Sequence, residues 1–93
     1  MEETRAQRVA RMEACFDAVS EAVRGDPHSW HRDPVLGQMW QTLLAYYEDG
    51  RWLADFEADE RGLLPPELKR GVLSEDGLYD LLQTVAAVQR EKT

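Results

Sequence analysis

Every apolar segment of this chain recurs at three- to four-residue spacing, and none alternates. A half-buried strand would put its apolar residues at every second position, so this regularity commits the backbone to helices. The clearest case is near the start, where Val9, Met12, Phe16, Val19 and Val23 step by three and four, while Arg8, Arg11, Glu13, Asp17 and Glu21 fall on other faces. One such stripe is a seam. It packs against the chain's own core or against a second copy, and it is too short for a free-standing coiled coil.

The breaks between helices are equally readable. Gly25 stops the first helix, and residues 25–33 read as a loop. Asp33 as N-cap with Pro34 behind it starts a second helix, which presents Leu36, Trp40, Leu43, Leu44 and Tyr47 and ends at Asp49-Gly50. A short third helix follows over about 51–60, with Trp52 and Phe56 four apart as its core anchors and Asp55 and Asp59 sharing another face. Gly62 and the Pro65-Pro66 pair end it. Pro66 to Arg70 can form a further short helix with Gly71 as its C′ residue and Val72 beyond it. Ser74 then caps a last helix, with Glu75 and Asp76 in its first turn and Leu78, Leu81, Leu82, Val85 and Val88 as its stripe. Gly77 stands where a capping box would have Glu or Gln. The expected architecture is all-α: a small bundle of three main helices plus two short ones, with residues 1–93 as a single helical domain.

Charge narrows the function classes. Eleven basic against eighteen acidic residues give a net charge of −7, which argues against gripping a phosphate backbone or an anionic membrane surface. The longest uninterrupted apolar run is Leu43 to Tyr47, far short of the ~20 residues of a membrane span. Residues 1–14 contain no apolar stretch of a secretory signal. The single Cys15 cannot form an internal disulfide, which fits a reducing, cytoplasmic compartment.

The acidity is concentrated in residues 49–60, where Arg51 faces Asp49, Asp55, Glu57, Asp59 and Glu60. Asp55 and Asp59 are one turn apart, a repulsion of ~0.2–0.5 kcal/mol in an isolated helix. Arg51, Lys69 and Arg70 are the local bases that could offset it, through an internal salt-bridge set or across a partner-binding face. A tight reversal at Gly62 to Pro65 would bring Lys69 and Arg70 alongside, with Arg70 the better carboxylate partner. Asp55-x-Glu57-x-Asp59 opens like a calcium loop, but Glu60 and Pro66 stand at its sixth and twelfth positions, where Gly and Glu are required. Asp26, His28, His31 and Asp33 sit together in the first loop without a second supported ligand pair and read as solvated loop residues. No nucleophile elbow, phosphate loop or Cys–His arrangement is present. Trp40, Tyr46, Tyr47, Trp52 and Phe56 read as core aromatics.

The run Trp52-x-x-Asp55-x-Glu57-x-Asp59-Glu60-x-Gly62-x-Leu64-Pro65-x-x-Leu68-Lys69-Arg70-Gly71-Val72-Leu73-Ser74-Glu75-Asp76 resembles a family of small bacterial proteins catalogued as a domain of unknown function. Tyr46, Tyr47, Tyr79, Leu81 and Leu82 extend the likeness, and residues 25–45 depart from it. The resemblance implies a cytoplasmic all-helical protein and no particular activity.

The resulting expectation is a small acidic intracellular protein that works as a protein–protein interaction or structural module, with no enzymatic activity, cofactor or metal. Its partner would be another protein or a second copy of the chain. The candidate interaction face comprises Asp55, Asp59, Glu60, Lys69, Arg70 and Asp76. Two alternatives stand beside it: a carboxylate-based metal-dependent or enzyme-accessory protein, and an acidic mimic of nucleic acid. The fold expectation is directly measurable: far-ultraviolet circular dichroism should give a strongly helical spectrum, and substantial strand signal would overturn it.

Overall fold

The computed structural model describes residues 2–74 and 76–91, with the side chains of 89–91 left out. Its secondary structure is helical throughout: α1 (Arg5–Gly25), a 3-10 turn at Trp30–Arg32, α2 (Pro34–Glu48), α3 (Arg51–Glu60), a second 3-10 turn at Gly71–Leu73, and α4 (Gly77–Glu91). No strand occurs among the described residues.

Local chemistry accounts for each boundary. Thr4 and Gln7 close a capping box at the start of α1. Gly25 is the last residue of that helix rather than the residue beyond it, and Asp26 serves as C-cap. Asp33 accepts from the backbone N–H groups of Val35 and Leu36, with Pro34 in the first turn of α2. Gly50 turns the chain at φ 91°, and Asp49 supplies the cap that glycine cannot, its Oδ1 accepting from Arg51 N at 3.0 Å. At the end of α3, Leu63 N donates to Ala58 O and Gly62 N to Asp59 O, both at 3.0 Å, with Gly62 at φ 72°. This is the paired-bond glycine cap, and only glycine adopts that φ without strain.

The α1 stripe is inward: Val9, Met12, Val19 and Val23 are buried and Phe16 is half-buried against them. It packs mainly on α2, whose buried residues are Trp40, Leu43 and Tyr46. Trp30, in the segment expected as plain loop, is 6% exposed and meets Trp40 edge-on with centroids 6.0 Å apart. Leu78, Leu81 and Val85 carry α4 into the same core.

Two expectations are corrected here. Pro66 to Arg70 is a series of turns, not a helix. The Arg70 guanidinium takes the carbonyl oxygens of Pro65, Pro66 and Leu68 at 2.7, 3.3 and 3.3 Å, so carbonyls that a helix would use for its own ladder are already engaged. Gly71 accordingly is not a left-handed cap; the positive-φ glycines among the described residues are Gly50 and Gly62. The third helix is anchored by Trp52 as expected, but Phe56 is not among the residues packed on the core. Trp52 is half-buried against the core, and its indole N–H donates to Val72 O at 2.8 Å. Phe56 stacks on Trp52, with centroids 5.1 Å apart. The residues that α3 buries fully are Asp55 and Ala58.

The Gly71–Leu73 turn touches α1, α3 and α4, with Val72 and Leu73 buried. Ser74 Oγ donates to Gly71 O at 2.8 Å and accepts from Gly77 N at 3.0 Å, so it satisfies a helix-start N–H as expected, but α4 begins only at Gly77 and Asp76 precedes it rather than lying in its first turn. Glu75 lies outside the described residues. Gly77 is set by space: a Cβ there would lie 2.8 Å from Gly71 O and closer still to Ser74 Oγ. Helix propensity alone favours alanine over glycine by ~0.5–1 kcal/mol. We expect the opposite sign, with Gly77→Ala lowering stability by ~1–3 kcal/mol through overpacking. A chemical denaturation midpoint that rises in the variant would refute the close approach.

Candidate functional site

Asp55 is 0% exposed and cannot belong to an accessible face. Its Oδ2 accepts from Arg8 Nε at 2.9 Å and from the Tyr46 hydroxyl at 2.6 Å. Its Oδ1 accepts from Arg5 Nε at 3.2 Å and from the second arm of Arg8. A carboxylate on α3 thus gathers two arginines from α1 and a tyrosine from α2. Burial raises the Asp55 carboxyl, but the hydrogen bonds from Arg8 and Tyr46 and the charge of Arg8 outweigh it, leaving it below the ordinary 3.8. Burial first, and then the Asp55 carboxylate, push the Tyr46 phenol far upward, so it stays a donor. Tyr46, not Tyr47, is the fully buried tyrosine of α2. The local bases weighed for Asp55 are not its partners. Arg51 pairs with Asp49 at 2.8 Å and lies over the Tyr46 ring. The readable signal is the arginine spacing on α1: Arg5 and Arg8 are one turn apart beside the apolar stripe.

Asp59 receives Arg70, as its position after the chain reversal implied. The two side chains are 22% and 33% exposed, so their attraction is partly screened. Because the same guanidinium also holds three carbonyls, Arg70 fixes the path of residues 65–70. Lys69 is exposed, and no ion pair joins it to a described residue. Glu60 and Asp76 are exposed as well, with no side-chain bond linking them to the others. With Asp55 sealed inside, the six residues cannot all belong to one accessible face.

Glu13, assigned by periodicity to an outer face, is 9% exposed. Its Oε1 accepts from Val72 N at 2.7 Å, which ties the middle of α1 to the 71–73 turn. Gly71 permits this approach, since a Cβ there would stand 3.1 Å from Glu13 Oε2.

Beside this contact lies an open groove of about 450 Å³. One wall is a stripe of α1, Ala10, Glu13, Ala14 and Asp17, and the other is the segment carrying Pro65, Glu67, Leu68 and Lys69. Positions 10, 13, 14 and 17 follow helical spacing. They form a second edge of α1, exposed except at Glu13 and visible in the sequence as small residues at i and i+4, but apolar periodicity alone does not reveal it. In the first loop, Asp26 accepts from Ser29 N and Asp33 caps α2, while His31 lies edge-on to Trp30. Among the described residues, no group of three or more His, Cys, Asp or Glu could hold a metal ion. Burial raises the thiol of half-buried Cys15 despite Arg11 nearby.

A carboxyl held below its unfolded value stabilises the fold above that value and loses this contribution as pH falls through it. For Asp55 the loss should begin near pH 4, and Asp55→Asn should flatten the acid limb of a pH–melting curve. Arg8→Met strands a fully buried charge and should cost ~3–5 kcal/mol. Arg5, about half exposed, should cost only ~0–1 kcal/mol. Equal losses for the two arginines in denaturant melts would contradict the geometry.

The family model described as "Domain of unknown function (DUF4298)" matches residues 9–91. No curated protein and no solved structure matches the chain.

Proposed function

We propose that this chain, which belongs to the DUF4298 family of domains of unknown function, is a cytoplasmic protein–protein interaction module that recognises its partner through the groove between α1 and residues 65–69. The observation that carries this reading is the groove itself: an open concavity of about 450 Å³, lined by apolar Ala10, Ala14, Pro65 and Leu68 and by charged Glu13, Asp17, Glu67 and Lys69. A preformed concave surface with apolar walls and a few polar groups suits a binding site. Its second wall is irregular backbone, yet Arg70 clamps that segment to α3 through Asp59 and to itself through three carbonyls. A pre-organised wall loses less freedom on binding. In this reading Asp59 and Arg70 shape the site from behind, Lys69 stands at its lip, and Glu60 and Asp76 lie outside it.

The carboxylate-chemistry reading has less support. Asp55 is held by arginines and a tyrosine, and Glu13 by a backbone N–H on another side of α1, so the two buried carboxylates do not converge on one substrate position. The membrane expectation rests on one further fact: no helix among the described residues is long and apolar enough to cross a bilayer.

The test is comparative capture from the source cell. Wild type and Ala14→Trp, which fills the groove from an exposed position, are used as baits with quantitative mass spectrometry. Leu53→Ser, at an exposed site on α3, is the control. A partner held by wild type and Leu53→Ser but lost by Ala14→Trp is expected. Equal recovery by all three would remove the groove as the recognition surface. Light scattering on the purified chain identifies a second copy as partner if the mass is dimeric and Ala14→Trp returns it to monomer.

A further inference from the structure

The lining of the groove also bears on the chemistry of its occupant, an inference that rests on the groove being the recognition surface. We infer that the groove receives a basic side chain, Lys or Arg, flanked by apolar residues on a segment of a partner protein, and that Glu13 is the anionic anchor for it. Glu13 lines the groove and is more than nine-tenths buried. Only one of its oxygens is engaged, Oε1 with Val72 N. Its Oε2 accepts no hydrogen bond from a described residue, and no fully buried side-chain oxygen or nitrogen there lacks a partner. Oε2 therefore keeps some contact with solvent, on the side of Gly71. The absence of a Cβ at Gly71 keeps that oxygen uncrowded.

A carboxylate removed from most of its water and given a single backbone donor is under-compensated. A cation entering the groove supplies the missing donor. The rim points the same way. Asp17 and Glu67 join Glu13, and Lys69 opposes them, so the lining is net negative within a chain already at −7. Such a field favours approach of a positive segment. The apolar part of the lining, Ala10, Ala14, Pro65 and Leu68, suits the apolar neighbours and the methylene stem of the basic residue.

A phage-displayed library of random linear peptides, selected on the immobilised full chain, tests this whatever the identity of the partner. Enriched peptides should share a Lys or Arg beside apolar residues and lose binding to Ala14→Trp. Glu13→Gln keeps an oxygen for Val72 N and removes the charge. It should weaken those peptides about tenfold or more, the size of one charge-assisted hydrogen bond. Should that variant fold poorly, Asp17→Lys at the exposed rim gives the independent reading, a clear loss of affinity with an unchanged melting temperature. Peptides that need Ala14 but carry no basic residue, or that bind both charge variants as tightly as wild type, overturn this inference and leave the groove reading standing. Failure to recover any peptide dependent on Ala14 overturns both.

Discussion

The structure depends on one carboxylate. Asp55 sits where α1, α2 and α3 converge, fully buried, with Arg8 and Arg5 from the first helix and Tyr46 from the second directed onto it. Burying a carboxylate is tolerable only when hydrogen bonds and opposite charge replace its water. Here they arrive from two other elements, so the charge is compensated only when all three helices are in place. Apolar contacts tolerate sliding, whereas a hydrogen-bonded ion cluster has one geometry. The cluster can therefore fix how α3 lies against the pair formed by α1 and α2.

A second polar system orders the other side of the molecule. The Gly71–Leu73 turn is short, and its buried residues Val72 and Leu73 need partners for their backbone groups. Val72 receives Glu13 on its N–H and Trp52 on its carbonyl, while Gly71 O takes the Ser74 hydroxyl. Two of these partners come from α1 and α3, which makes the turn the joint between them and α4. Arg70, one residue earlier, holds the approach to this joint by its carbonyls and by Asp59. The groove lies between these two systems: α1 is pinned to the turn at Glu13, and residues 65–69 carry the other wall.

Much of this is legible in the residues. The three-to-four spacing establishes the helices, and Asp33 and Ser74 satisfy helix-start N–H groups as their types suggest. The stripes Val9, Met12, Val19, Val23 and Leu78, Leu81, Val85 are the observed core. The run from Trp52 to Asp76 points to the family that matches residues 9–91. Arg70 with Asp59 follows from the reversal at Gly62. The misses share a cause. Residue type puts Asp55 and Glu13 outside because charge normally faces water, and it makes Pro66 to Arg70 a helix because a proline start and a glycine stop usually bracket one.

Sequence by itself determined the helical class, the turn positions and the apolar faces, because these follow from side-chain type and spacing within one turn of chain. Tertiary structure decided which charges go inside. Asp55 and Asp59 are the same residue type on the same helix, yet one is sealed by arginines some fifty positions away and the other is paired half in water. Nothing local distinguishes them. The cost of burying a carboxylate depends on donors that only the folded chain brings within hydrogen-bonding reach, and the same holds for Glu13, whose donor is the backbone N–H of Val72.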